Sequence, residues 1–278
     1  MKISYILCAA SLYASFASAA DLSGATPAFS GYGEIFAGKF LVDSKSEKQS
    51  LTSATASANL NFDKRWNFQA DITYDALNFA SSKVSGIGGA GHVYWRNPET
   101  IALGGFASVS KARWAISGSK IDIADQWTAG LETQAYLGDL TLYGQAWIGR
   151  SQTFSNPTMS QIGVRAVARY YVNDNLRLDG EIDYVTSHKD SIRDTNTAAA
   201  AQINYRLASM PITLFGRFQM ENHRASSVMP NSTTVKKLFV GLRFSFGSNS
   251  LKDEERNGTA MDVYRPNLPV LPLSVYSG

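Results

Sequence analysis

The chain has 278 residues, of which 18% are charged and 12% are aromatic, and its formal net charge is only +3. So small a charge does not point to a nucleic-acid partner. No uninterrupted apolar run of about 18 residues occurs after residue 20, which excludes a membrane protein built from helices.

The N-terminal segment is typical of a signal peptide. Lys2 precedes an apolar stretch from Ile3 to Phe16, and residues 17–19 supply the small side chains that a signal peptidase requires. We therefore expect residues 1–20 to be cleaved. The sole cysteine, Cys8, is lost with them, so the mature chain has no disulfide, thiolate or cysteine metal site.

Residues 21–247 predict an array of strands. Between Leu176 and Val185 apolar and charged residues alternate strictly, and a period of two is the side-chain repeat of a pleated strand. Segments of this kind recur at about ten residues, the length of a tilted strand that crosses a bilayer. In chain order the candidate strands are 29–40, 51–62, 66–77, 84–96, 101–110, 126–137, 140–150, 160–171, 176–187, 197–207, 212–223 and 235–246.

This array predicts an all-β fold, a transmembrane antiparallel up-and-down β-barrel of about 12 strands, with about 10 or 14 left open. Short turn-rich connections alternate with longer polar ones, as expected for periplasmic turns and outer loops. A soluble β-sandwich would give the same alternation with its apolar face in a core. Aromatic residues near both strand ends favour the membrane barrel, because they are typical of interfacial girdles.

Two segments carry a resemblance to a known class. Leu238–Gly247 resembles the closing strand of porin-like outer-membrane proteins of Gram-negative bacteria, and Phe29–Ile35 resembles their opening strand. The resemblance implies export through the periplasm to the outer membrane. It also implies three partners, which are the barrel-assembly machinery, outer-membrane lipid and lipopolysaccharide. The assembly signal of this class usually ends the chain, whereas here it would be internal.

The inward-facing charges favour a water-filled pore. Parity places these charges inward, and their uneven distribution over the strands gives a basic set and an acidic set. A field between walls of opposite sign would orient polar solutes. The alternative is that the charges pair and fill the lumen, since a barrel of this size lies between packed and open examples. The basic wall is predicted to be Arg165, Arg169, Arg206, Arg217 and Arg243, and the acidic wall Glu34, Asp71, Asp75, Glu132, Asp179, Glu181 and Asp183.

The longest outer connection, from Lys111 to Asp125, is a candidate constriction loop. If it folds inward it narrows the pore, and if it folds outward it is solvated; the sequence leaves both open. Its notable side chains are Lys111, Arg113, Trp114, Lys120, Asp122 and Asp125.

We therefore expect a passive channel for small polar solutes, without catalytic residues, metal or cofactor, and with no particular oligomeric state indicated. His92 is interpreted as a hydrogen-bonded lumen residue. A first alternative is a barrel-scaffolded hydrolase of lipid or peptide, in which His188 and His223 meet at the outer rim near Ser187, Asp190 and Asp194. A second alternative is a closed structural or adhesion barrel.

Residues 248–278 form the last predicted unit, a periplasmic C-terminal tail. Pro266, Pro269 and Pro272 cannot join a strand ladder. We expect the tail to be mostly extended, with folding back over the barrel mouth as the alternative.

Overall fold

The protein forms a closed antiparallel barrel of twelve strands, in which each strand pairs with its sequence neighbours and the first pairs with the last. The computed structural model describes residues 27–42, 49–63, 65–78, 82–116, 119–153, 156–190, 192–225 and 232–262. The predicted signal peptide lies outside these ranges. The elements are β1 (Phe29–Val42), β2 (Gln49–Asp63), β3 (Trp66–Asn78), β4 (Ser82–Asn97), β5 (Ile101–Ile116), β6 (Ser119–Leu137), β7 (Leu140–Thr153), β8 (Asn156–Asn173), β9 (Leu176–Lys189), β10 (Ile192–Arg206), β11 (Ile212–Ala225), β12 (Thr233–Phe246) and α1 (Leu251–Asn257).

All of the predicted strands are confirmed, and most are longer than expected. The alanine-rich β2 and the glycine-rich β4 are paired along both edges. Their weak strand propensity is overridden because barrel closure gives every strand a partner on each side. We call the end with the short turns after β2, β4, β6, β8 and β10 the periplasmic end.

The predicted facing of the side chains is also confirmed. The barrel exterior is an apolar belt in which Leu131 is 73% exposed, Val240 66% and Ile182 64%. The interior is buried and carries most of the polar and charged side chains together with apolar clusters. A soluble β-sandwich buries its apolar side chains, whereas this barrel exposes them. The β-sandwich is therefore ruled out, because an apolar exterior of this extent requires lipid around it.

Parity and the tight turn between β8 and β9 predict that Arg165 faces Asp183 and that Arg169 faces Asp179, and the register confirms both. The ion pairs nevertheless differ from this register. Arg165 binds Glu181 diagonally at 2.9 Å, and Asp179 is bound at 2.7 Å by Arg177 of its own strand.

The prediction that Lys111–Asp125 forms a loop is wrong, because β5 extends to Ile116, β6 begins at Ser119, and the two strands pair along this segment. Lys111 pairs with Asp125 across the ladder, and the Arg113 Nε donates to Asp122 at 2.7 Å. These opposite charges support strand pairing and face outward. Trp114 faces inward and packs against an apolar cluster. The side chain of Lys120 lies outside the described residues.

That apolar cluster lies inside the barrel at its outer end. Its members come from β1 to β5 and from β12, and they exclude water from this side of the lumen. The open part of the lumen is therefore displaced toward β8–β11. The cluster consists of Phe40, Val42, Leu51, Leu77, Val84, Ala112, Val235 and Phe239.

The C-terminal segment differs most from expectation. Residues 248–262, here called the plug, enter the barrel from the periplasmic end instead of extending away from it. Ser250 caps α1 by accepting a hydrogen bond from the Asp253 amide at 3.0 Å. Residues 263–278, with the three prolines, lie outside the described residues. Within the described ranges, no helix has the length and apolarity needed to cross a membrane.

Candidate functional site

A cavity of about 210 Å³ lies in the lumen beside the plug. One side is lined by charged residues of β8, β9, β11 and β12, and the other by residues of β1 to β3 that are mainly apolar but include Glu34 and Asp75. A polar solute that entered from outside would therefore contact the charged side. This side includes Arg165, Glu181, Asp183, Arg217, Glu221 and Lys237, and the apolar side includes Phe36, Leu51 and Leu77.

The charged side alternates in sign instead of forming one basic wall. Glu181 accepts hydrogen bonds from Arg165 at 2.9 Å and from Arg217 at 3.0 Å. Lys237 binds Glu221 at 2.5 Å. The acids of β9 thus lie among the predicted basic residues, which corrects the expectation of two opposed walls. Attraction between neighbouring strands explains the mixing.

Two of the predicted acids, Asp71 of β3 and Glu132 of β6, form a separate buried cluster around a histidine. His92 Nε2 lies 2.8 Å from Asp71, and His92 Nδ1 lies 2.8 Å from Glu132. Ser57 also donates to Asp71, and Tyr143 donates to Glu132 at 2.9 Å. The charged atoms of Asp71, His92 and Glu132 have no exposure to solvent. His92 is therefore a hydrogen-bonded lumen residue, as the sequence predicted.

The other two histidines do not meet. His223 faces the lumen, and its Nε2 lies 3.0 Å from Glu221 on the same strand. His188 faces outward on β9, opposite Arg193 and Ser160. The wall of the barrel separates the two rings, so the histidine pair expected for a hydrolase is absent from these described residues.

The predicted basic residues of β8 bind the plug. Arg169 pairs with Glu255 at 2.5 Å and with Asp262 at 2.5 Å. Arg165 pairs with Asp262 at 2.9 Å, and Tyr171 donates to Glu255 at 2.5 Å. Two plug carboxylates are therefore held by one strand.

A second set of arginines holds Glu254. Arg206 lies 3.4 Å from this carboxylate, and Arg243 lies 3.2 Å from it. Arg243 also binds Glu34 of β1 at 2.7 Å. Glu254 thus connects β10, β12 and, through Arg243, the seam between the first and last strands.

Polar contacts to the plug backbone close the remaining sides of the lumen. Arg96 donates to the carbonyl oxygens of Gly258 at 2.7 Å and Asn257 at 2.8 Å. Gln69 exchanges two hydrogen bonds with the backbone of Met261, at 2.7 and 3.1 Å. Gln134 donates to the Ala260 carbonyl at 2.7 Å. Strands around the whole circumference therefore contact the plug.

Two plug carboxylates, Glu255 and Asp262, stay ionised at neutral pH. Burial raises the pKa of the Glu255 carboxyl, but Arg169 and Arg177 outweigh burial and hold this pKa below its ordinary value. The pKa of Asp262 is lowered in the same way, with Arg169 and Arg165 opposing the effect of burial. The plug is therefore a negatively charged segment whose carboxylates are surrounded by arginine side chains.

Sequence reasoning missed the plug residues Glu254, Glu255 and Asp262, and it did not assign Arg96 a role in the site. A signal was present. Ser250 and Asp253 have the spacing of a helix N-terminus, and the acids that follow complement the excess of arginine predicted on β10–β12.

Comparison with known proteins identifies the fold. No protein-family model and no curated protein matches the chain. The translocator domain of the autotransporter NalP from Neisseria meningitidis superposes with a TM-score of 0.53 at 10% identity, over 87% of this chain and 97% of that one. The chain has the fold of an outer-membrane β-barrel.

Two further solved barrels are similar at lower scores. The β domain of the Bordetella autotransporter BrkA gives a TM-score of 0.48 at 13% identity, over 79% of this chain and 100% of that one. The porin KdgM gives 0.46 at 10% identity, over 77% and 99%. The outer-membrane β-barrel fold agrees with the apolar exterior described above.

Proposed function

We propose that this barrel is a gated channel of the Gram-negative outer membrane, through which small polar solutes diffuse passively, with the plug as its gate. One observation carries the proposal. The segment that closes the periplasmic half of the lumen follows the last strand and is not a part of the wall. It can leave without breaking any strand-to-strand hydrogen bond.

The polarity of the lumen supports a conducting state. The cavity beside the plug is lined on one side by ionised groups, and such groups hold water and orient polar solutes. Removal of the plug would extend this polar surface to the periplasmic end, where Arg96, Asn67 and Asn204 point inward and are buried. The proposal assigns no catalytic role to these side chains.

The proposal also gives the open channel a preference for anions. Among the described residues, the carboxylates that form ion pairs with Arg169 and Arg206 all belong to the plug. Once the plug has left, these arginines would face the lumen without the plug carboxylates that now neutralise them. Fixed positive charge raises the local concentration of anions.

The membrane partners follow from the outer surface. Lys83, Arg150 and Arg224 face outward near the extracellular end and are exposed. Cations in this position would contact the phosphates of lipopolysaccharide. We also propose that the chain is exported to the periplasm and inserted into the outer membrane by the barrel-assembly machinery.

The test is conductance of the full chain in planar bilayers, with the plug locked or weakened. The Lys252 amide donates to the Asp174 carbonyl at 3.1 Å, so the backbones are close enough for a disulfide in Asp174→Cys/Lys252→Cys. We expect openings to vanish when this variant is oxidised and to return on reduction. The neutral triple variant Glu254→Gln/Glu255→Gln/Asp262→Asn should open more often than the parent.

The second candidate is a closed structural barrel. The ion-paired cluster around His92 favours it, because a buried network of this kind fills a lumen permanently. If the neutral triple variant is folded in bilayers but shows no conductance, the channel is rejected and the closed barrel is retained.

A further inference from the structure

The plug carboxylates lie where the carboxylates of a solute would bind. Glu254, Glu255 and Asp262 each pair with lumen arginines. We propose that these arginines form a binding site for small solutes that carry several carboxylates, and that such a solute opens the channel by competing with the plug. The inference rests on the proposed function, since it names the solute class and the trigger of the same gate.

Arg169 is the centre of this site. Its guanidinium is nearly buried, with 4% exposure, and it donates to two carboxylates at once. Its Nε is buried without a hydrogen-bond partner. A guanidinium presents five N–H donors in a planar fork. The Nε–H of Arg169 is therefore a donor from which a bound carboxylate could accept a hydrogen bond.

The second part of the site is Arg206 with Arg243. The described contacts of the Arg206 guanidinium are all with the plug, namely with Ser248 and Glu254. Arg243 keeps Glu34 as a wall partner. Plug departure therefore leaves Arg206 without these partners, and a ligand carboxylate would replace Glu254 there.

The division of the site into two parts sets the ligand class. Glu254 and Glu255 are adjacent in sequence, yet one reaches β10 and β12 while the other reaches β8. A small molecule with several carboxylates could replace more than one of these contacts. A monocarboxylate would replace only one contact, and a neutral sugar would replace none. Bidentate, charge-assisted hydrogen bonds make arginine suited to carboxylate recognition.

Competition follows from linkage. A solute that binds only the unplugged state multiplies the ratio of open to closed molecules by one plus its concentration over its dissociation constant. At about ten times that constant, the open fraction of a mostly closed population should rise about tenfold.

The experiment measures plug release directly, apart from conduction. Met261 is 1% exposed when the plug is seated, and the mature chain is predicted to have no other cysteine. In full-length Met261→Cys, the rate of maleimide labelling therefore reports the open fraction. Citrate is the probe, and sucrose and acetate are the comparison solutes. We expect citrate to accelerate labelling about tenfold at about ten times its dissociation constant, and sucrose to have no effect.

Two further variants break the same contact from opposite sides. Glu255→Gln weakens the plug but leaves the arginines intact, so basal labelling should rise and the citrate acceleration should persist. Arg169→Gln should also raise basal labelling but should abolish the citrate acceleration. Arg193→Gln removes one arginine from the outer surface, where Arg193 is exposed, and should change neither rate.

The outcomes separate the two proposals. Conductance that depends on the plug, without citrate acceleration of labelling, overturns the binding site and leaves the channel. Citrate acceleration without conductance in the neutral triple variant supports the binding site and rejects the channel. Citrate acceleration that survives Arg169→Gln overturns the assignment to these arginines.

Discussion

Two buried charged regions lie inside this barrel, and their partners differ in kind. The cluster of Asp71, His92 and Glu132 is held by groups of the wall itself. The arginines of β8, β10 and β12 are held largely by carboxylates of the plug. The first region can be disrupted only by disturbing the wall, whereas the second can exchange its partners. Similar residues thus give a fixed structure in one place and a replaceable contact in the other.

The largest expected effect breaks the fixed region. In His92→Leu, two buried carboxylates lose the group between them, and breaking a buried charge network costs about 3–5 kcal/mol. Urea unfolding in lipid vesicles, followed by tryptophan fluorescence, measures the loss. Glu255→Gln is the matched control, because its arginine partner can be hydrated when the plug leaves. Equal destabilisation by the two variants would remove the distinction between the regions.

Acid should act on the replaceable region. Because the pKa values of Glu255 and Asp262 are lowered in the seated plug, the ion pairs stabilise seating fully above the ordinary carboxyl range. This stabilisation is lost as the pH falls through the lowered values. Channel opening should therefore increase as the pH is reduced below about 4. The neutral triple variant should lack this increase, and a parent channel that closes in acid would contradict the prediction.

Selectivity sharpens the comparison further. The triple change Arg206→Ala/Arg217→Ala/Arg243→Ala removes positive charge from the lumen, so the reversal potential should move toward cation preference. The shift should be larger at low salt, since charges are screened over about 10 Å at 0.1 M. An unchanged reversal potential would show that these arginines do not line the permeation path.

The smallest effect is expected at the rim of the plug. Lys252 binds the exposed Asp139 at 2.7 Å, and exposed ion pairs contribute little. Lys252→Ala should leave the open fraction unchanged in the maleimide assay. A large increase would mean that the turn, and not the arginine set, holds the plug.

The sequence predicted the strands and their faces well because both depend on a local period of two. The register of Arg165 with Asp183 followed from the same parity and a tight turn. Its ion pairs did not follow, because an arginine side chain can reach several acids. The β5–β6 hairpin was missed because the outward charges at Lys111 and Asp122 are typical of a solvated loop as well as of a cross-strand pair.

The plug could not be predicted from local pattern. Its helix, Leu251–Asn257, is short, and helices of this length depend on tertiary contacts. Those contacts join residues far apart in the chain, such as Arg96 with Gly258. Pairing over such separations depends on the closed barrel and leaves no periodic trace in the sequence.

Gly247 connects the last strand to the plug in a left-handed conformation, with φ +76°, and an added Cβ would lie 2.7 Å from the Phe29 carbonyl oxygen. This residue is where the chain reverses from the wall into the lumen. The groups that receive the plug come from strands at both ends of the sequence, including Arg243 of β12 with Glu34 of β1. Their complete arrangement exists only after the seam between β1 and β12 has closed. We therefore expect an ordered biogenesis, in which the wall is finished first and each new barrel passes through an unplugged stage before the plug enters.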